Sequence, residues 1–201
     1  MTDTRIRVVD TEPLRRRRLV VLLRAILFVP HYIVLSVWAL LLIPVVPFSW
    51  LAALILGRLP SAFHRFLAAY LRYQGQVTAW LFLLSATYPD PLHTTEHPFR
   101  IEVHDAHDQP RLVTLFRLPL AIPAFVLASV FDVILTAVGV GAWLVGLARG
   151  RSTAGLQELG TFCLRYQLET QAYLTLLTHR YPKLAPTDEA VAPAVAPQTP
   201  Q

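Results

Sequence analysis

The sequence predicts an all-α integral membrane protein made of two tandem repeats, each a short strand, a membrane hairpin of two helices and an amphipathic interfacial helix. Three observations carry that expectation: a composition too apolar for water, two apolar runs longer than a bilayer is thick, and a self-alignment in which polar residues keep register. The chain has 201 residues, 54% hydrophobic and only 15% charged, with mean hydropathy +0.46. A soluble domain carries about 25% charged residues, so the bilayer is the expected solvent.

The first apolar run, Leu19 to Leu56, holds one ionised side chain, Arg24. A run that long exceeds the roughly 20 residues that cross a hydrocarbon core. Between Ala25 and Ile43 the Leu, Ile, Val and Phe side chains each favour insertion by roughly 0.3 to 0.6 kcal/mol, which outweighs Pro30, His31 and Ser36. The run is too long for a signal-peptide core, and no small-residue cleavage site follows it. With Cys163 as the only cysteine, no intrachain disulfide can form.

Formal charge is +5 and the pI about 9.8, but the basic residues do not gather on a soluble module. Arg15, Arg16, Arg17 and Arg18 abut the first apolar run. That placement marks a cytoplasmic flank whose natural partner is a bilayer with anionic headgroups, and it argues against nucleic acid.

Sliding the chain on itself at an offset of 93 residues aligns Arg18–Pro89 with Arg111–Pro182 without a gap, and roughly 26 of about 72 pairs are identical. Shared apolar composition gives scattered leucine matches. Here Arg24 meets Arg117, Pro30 meets Pro123, Trp50 meets Trp143, and Gly57-Arg58 meets Gly150-Arg151. The strongest block sets Leu71-Arg72-Tyr73-Gln74 against Leu164-Arg165-Tyr166-Gln167, and Tyr88-Pro89 meets Tyr181-Pro182. With a two-residue adjustment, the segment from Arg5 to Asp10 also pairs with Arg100 to Asp105.

Repeat one is expected over 1–90, with a strand at Arg5–Val9, a hairpin over 19–57 and a helix over 62–87. After a linker at 91–98, repeat two is expected over 99–184, with a strand at Phe99–His104, a hairpin over 112–149 and a helix over 155–180. The Ala- and Pro-rich tail, 185–201, has no apolar period and is expected to be disordered. The two strands are expected to pair, supported by the helices.

A straight helix over Leu19–Leu56 would be about 57 Å long against a core of roughly 30 Å, so a turn is expected at Pro44-Val-Val-Pro47 and at Gly139-Val-Gly141. Two short spans return Arg58, Arg65, Arg149 and Arg151 to the side of the arginine cluster. The last helix of each repeat is too charged for a lone span but carries an apolar stripe: Leu159, Phe162, Cys163, Tyr166, Tyr173 and Leu177 in repeat two. It is therefore expected to lie at the interface. A competing arrangement has one kinked span and a crossing last helix per repeat. Either way the span count is even, which predicts like-oriented repeats and both termini in the cytoplasm.

Asp132 is the sharpest polar candidate, because a carboxylate inside an apolar run costs roughly 2.5 to 3.5 kcal/mol on insertion. With Arg24 and Arg117 it forms a candidate intramembrane polar site; the plainer expectation is that the arginines snorkel to phosphate and Asp132 reaches water. Arg72, Tyr73, Gln74, Arg165, Tyr166 and Gln167 are candidate interfacial contacts fixing the last helix to its hairpin. His93, His97, His104 and His107 lie among carboxylates in and after the linker, a weak candidate metal set of loose spacing; no metal or other cofactor is expected. No phosphate loop, nucleophile elbow or cysteine pair is present, so no catalytic residue is nominated.

The segments Val29-Pro30-His31-Tyr32-Ile33-Val34-Leu35, Gly57-Arg58-Leu59-Pro60 and Thr78-Ala79-Trp80-Leu81 through Tyr88-Pro89 resemble a bacterial family, domain of unknown function 4389. Two copies cover nearly the whole chain, and the resemblance implies a membrane setting in actinobacteria and their relatives. In the second copy Pro123 is followed by Ala124 rather than histidine, and Gly150-Arg151 by Ser152-Thr153. The preferred functional expectation is a non-catalytic accessory or scaffold component of the cell envelope, with another membrane protein as a further partner. The alternatives are a small transporter with a polar site near Asp132, and a lipid-binding or lipid-modifying protein.

Overall fold

A computed structural model describes residues 5–8, 18–90, 99–102, 111–150, 153–178, 180–182 and 184. Among them are β1 (Arg5–Val8), α1 (Arg18–Leu56), α2 (Ser61–Leu81), β2 (Phe99–Glu102), α3 (Arg111–Arg149) and α4 (Ala154–Leu174).

The expected turns inside the apolar runs are absent: α1 and α3 are each one continuous helix of 39 residues. Pro30, Pro44 and Pro47 lie within α1, and Pro119 and Pro123 within α3. Each proline removes one N–H but has a φ suited to helix, so an otherwise intact ladder carries the chain through. Gly139 is not a hinge; it makes room. A Cβ there would clash with the edge of the Phe82 ring at Cδ1, so the position serves close packing.

The real turns come at Gly57 and Gly150, with φ of 71° and 68°, each accepting the left-handed conformation that ends a long helix. Their N–H groups bond Ala53 O and Gly146 O at 2.9 Å each. From there α2 doubles back along α1. Arg24 bonds Trp80 O, His31 meets Tyr73, and Trp38 packs against Phe66 and Tyr70, so residue numbers fall on α2 as they rise on α1.

Helices α2 and α4 are shorter than expected and stop well before Tyr88-Pro89 and Tyr181-Pro182. Leu83 and Leu176, equivalent in the two repeats, take φ of 62° and 63°. Leu84 N bonds Ala79 O at 2.8 Å and Leu83 N bonds Trp80 O at 3.2 Å; in repeat two Leu177 N bonds Ala172 O and Leu176 N bonds Tyr173 O. This is a Schellman termination with leucine where glycine is usual, a strain of about 1–2 kcal/mol. Both leucines are buried, so their side chains are anchored in the core that opposes the strain.

The repeats lock together reciprocally. Trp50 on α1 donates its indole N–H to Leu174 O at 3.0 Å, and Trp143 on α3 donates to Leu81 O at 2.9 Å. Trp50 and Trp143 are equivalent positions, as are Leu81 and Leu174. Trp50 lies about 39 Å along α1 from Arg24, the end where Leu81 sits. The Trp50 end of repeat one therefore meets the Arg117 end of repeat two, and equivalent helices run antiparallel. The expectation that the copies cross in the same direction is corrected: a pseudo-two-fold axis perpendicular to the helices relates them.

The ribbon obeys the same axis. Strands β1 and β2 pair antiparallel with Ile6 opposite Ile101, Arg5 opposite Glu102 and Arg7 opposite Arg100, a register that maps onto itself when the repeats exchange. It lies against α2 and α4, which pack on each other, while α1 packs on α3. Helices α2 and α4 thus form an inner layer between the α1–α3 layer and the ribbon. From Phe66 to Ser85, and from Gly160 to Thr178, no residue is exposed. Over these stretches the helices are packed more fully than a single apolar stripe implies, because α2 and α4 pack on each other; their first turns stay exposed at Ser61, Ala62 and Arg65 and at Ala154, Gly155, Glu158 and Leu159. Leu67, Leu71, Leu135, Leu164 and Leu168 fill the core between them.

Candidate functional site

Arg24 and Arg117 do not snorkel. They are 3% and 1% exposed and point into the turns that end α2 and α4. Arg24 Nη1 donates to Trp80 O and, at 3.2 Å, to Ser85 O, with the guanidinium carbon 5.0 Å from the Trp80 ring centre. Arg117 Nη1 donates to Tyr173 O at 3.3 Å, 4.7 Å from the Tyr173 ring centre. A helix C-terminus presents carbonyls without intrahelical donors and the negative end of the macrodipole. A cation seated there between carbonyls and a ring face offsets the cost of its burial.

Asp132 is not brought to either arginine. It lies about 22 Å along α3 from Arg117, is exposed, and accepts a hydrogen bond from Gln167 Nε2 at 3.1 Å. This pair ties α3 to α4 on the surface. The three residues do not form one polar site.

The Arg-Tyr-Gln blocks divide their work between the interior and the flank. Tyr73 is buried, and its hydroxyl shares a hydrogen bond with His31 Nδ1 at 2.6 Å. Tyr166 is buried edge-on to Phe131, ring centres 4.9 Å apart. Arg165 lies 3.7 Å from Glu169 one turn along α4 and 5.7 Å from the Phe162 ring centre. Arg72 and Gln74 are half-buried on α2.

Around His31 the repeats differ most. Its ring meets Tyr88 edge-on at 4.9 Å and lies 5.9 Å from both Tyr73 and Trp80, while Trp80 also meets Tyr88 at 5.4 Å. Repeat two has the fully buried Ala124 at this position. The histidine's place in the nest is thus confined to repeat one, while the equivalent ring pair, Tyr173 and Tyr181, still meets edge-on at 5.6 Å in repeat two. Gln76 is a second asymmetry that sequence reasoning missed: it is fully buried, and Glu169 stands at the equivalent position. Its burial was not legible because it falls beside the Arg-Tyr-Gln block on what reads as a polar face.

The largest feature is a surface. Only a narrow stripe of α1 faces inward, and the rest is exposed hydrocarbon, including Ile26, Ile33, Leu40 and Ile55; Ile122, Phe125 and Val133 continue it on α3. No charged residue occurs from Ala25 to Leu56. The stretches Leu23–Leu56 and Pro119–Arg149 are long and apolar enough to cross a membrane, with mean hydropathy 2.4 and 2.2. Soluble monomers rarely expose a contiguous apolar patch beyond a few hundred Å².

His93, His97, His104 and His107 lie outside the described residues. Among the described residues no group of three or more His, Cys, Asp or Glu is arranged to hold a metal ion. Cys163 is buried.

No curated protein and no solved structure matches the chain. A family model matches twice, over residues 18–93 and 111–185, so that each match takes in one long helix, its Gly-Arg turn, the buried arginine and the short helix that the arginine caps. By those two matches the chain belongs, in tandem duplicate, to the family described as domain of unknown function (DUF4389).

Proposed function

We propose that the protein is a non-catalytic, membrane-embedded component of the bacterial cell envelope, held in lipid by α1 and α3. The carrying observation is the outward-facing hydrocarbon of these two helices, uncharged along α1 from Ala25 to Leu56 and interrupted on α3 by Asp132; water would leave this surface strongly unfavourable and acyl chains would solvate it. The arginines at 15–18, leading into the start of α1, suit anionic headgroups, and the exposed apolar flanks suit a second membrane protein.

A structural role is supported by how the polar side chains are used. Arg24 and Arg117 cap helix ends, His31 is tied to Tyr73, and Asp132 to Gln167. The Arg24, Arg117 and Asp132 pairings hold no nucleophile beside a base, and the Tyr73 hydroxyl beside the His31 imidazole is buried. The test is extraction of bacterial membranes containing the full chain: it is expected to stay in the pellet through an alkaline carbonate wash and to dissolve in mild detergent. Release by carbonate alone would contradict the proposal.

A further inference from the structure

The antiparallel repeats restrict how the apolar layer can sit in a bilayer. If α1 and α3 crossed it, the turns at Gly57 and Gly150 would emerge on opposite faces, with arginine-flanked ends on both sides. The apolar stretch Leu23–Leu56 is 34 residues, about 51 Å, and fits a core of roughly 30 Å only with a tilt beyond about 50°.

The ribbon makes a crossing worse. Its centre, the Ile6–Ile101 pair, lies on the pseudo-two-fold axis and so near mid-length of the helices. In a crossing orientation the bilayer midplane would then hold two open-edged strands carrying Arg5, Arg7, Arg100 and Glu102. Lipid does not tolerate unpaired strand edges, and charges at that depth are costly.

Turning the molecule so that the axis stands along the membrane normal removes all three conflicts. We infer that the protein occupies a single leaflet, with α1 and α3 lying in the membrane plane among the acyl chains, α2 and α4 at the headgroup level, and the ribbon in water. The inference rests on the proposed membrane embedding and adds its geometry. A helix about 10 Å across fits within a leaflet half the core thickness. Two such helices, about 51 and 47 Å long, occupy about 1,000 Å² of one leaflet and none of the other, which makes the protein a wedge.

The experiment uses the full chain in vesicles of phosphatidylcholine and phosphatidylglycerol, in a Cys163→Ala background. Spin labels are placed at Ile26→Cys, Ile33→Cys and Leu40→Cys, seven residues apart on one exposed face of α1. Depth is read from the ratio of oxygen to nickel-chelate collision. Equal depth at all three is expected. A shift of roughly 6 to 10 Å from each site to the next overturns the single-leaflet placement while leaving the embedding intact. Full nickel-chelate access at all three sinks both. Independently, Arg58→Cys and Arg149→Cys are expected to react with an impermeant maleimide from the same side of sealed, uniformly oriented vesicles; labelling from opposite sides overturns the placement.

Discussion

Trp50 hydrogen-bonds Leu174 O across the repeat boundary at 3.0 Å, and the equivalent Trp143 returns the bond to Leu81 O at 2.9 Å. Each indole thereby satisfies a carbonyl at the end of the other repeat's short helix, where no intrahelical donor remains. Replacing either tryptophan by phenylalanine removes the donor and strands a carbonyl. Trp50→Phe and Trp143→Phe are each expected to lower stability by about 1–3 kcal/mol, by similar amounts, in thermal unfolding of the detergent-solubilised protein. A large effect at one site alone would deny their equivalence.

The antiparallel arrangement fixes a long distance. Spin labels at Arg58→Cys and Arg149→Cys, in a Cys163→Ala background, mark the two Gly-Arg turns. Double electron–electron resonance is expected to place them more than roughly 50 Å apart, at opposite ends of the bundle. A separation near 20 Å would mean that the repeats run in the same direction.

Arg24 and Arg117 hold the turns that end α2 and α4. Arg24→Met keeps the length of the side chain but leaves Trp80 O and Ser85 O without their charged donor. The expected loss is about 1.5–3 kcal/mol per charged bond at most, with faster proteolysis just beyond α2. Arg24→Lys is expected to restore only part of it, because one ammonium does not reproduce the planar fork over the Trp80 ring.

Two glycines give opposite expectations. At Gly139 a methyl would intrude on the Phe82 ring, so Gly139→Ala is expected to cost about 1–3 kcal/mol, with recovery when Phe82→Ala is added. At Gly155 nothing lies within 4 Å of the place an added methyl would take, and Gly155→Ala is expected to stabilise by about 0.5 kcal/mol. Thermal midpoints of the three variants check both.

The duplication was legible because Arg24, Pro30, Trp50 and Gly57 are residues that do not recur by chance at one offset, and the family resemblance rests on the same segments. Pro44 and Pro47 misled: proline reads as a break, yet its fixed φ is helical and a 39-residue helix absorbs the lost bonds. The fate of Arg24 and Arg117 was hidden because their acceptors are backbone carbonyls 56 or more residues away, which no side-chain pattern records. Register between copies says that they are alike but nothing about their relative direction; that depends on Trp50 and Trp143, whose bonds span the repeats.

Leu40 and Val133 are equivalent positions, 65% and 70% exposed, on the faces of α1 and α3 that would meet lipid. Spin labels at Leu40→Cys and Val133→Cys, read in reconstituted vesicles, report directly on what solvates those faces. High oxygen collision with negligible nickel-chelate collision at both sites is the expected result. Free access of the nickel chelate to either site would contradict the claim that α1 and α3 are dissolved in hydrocarbon.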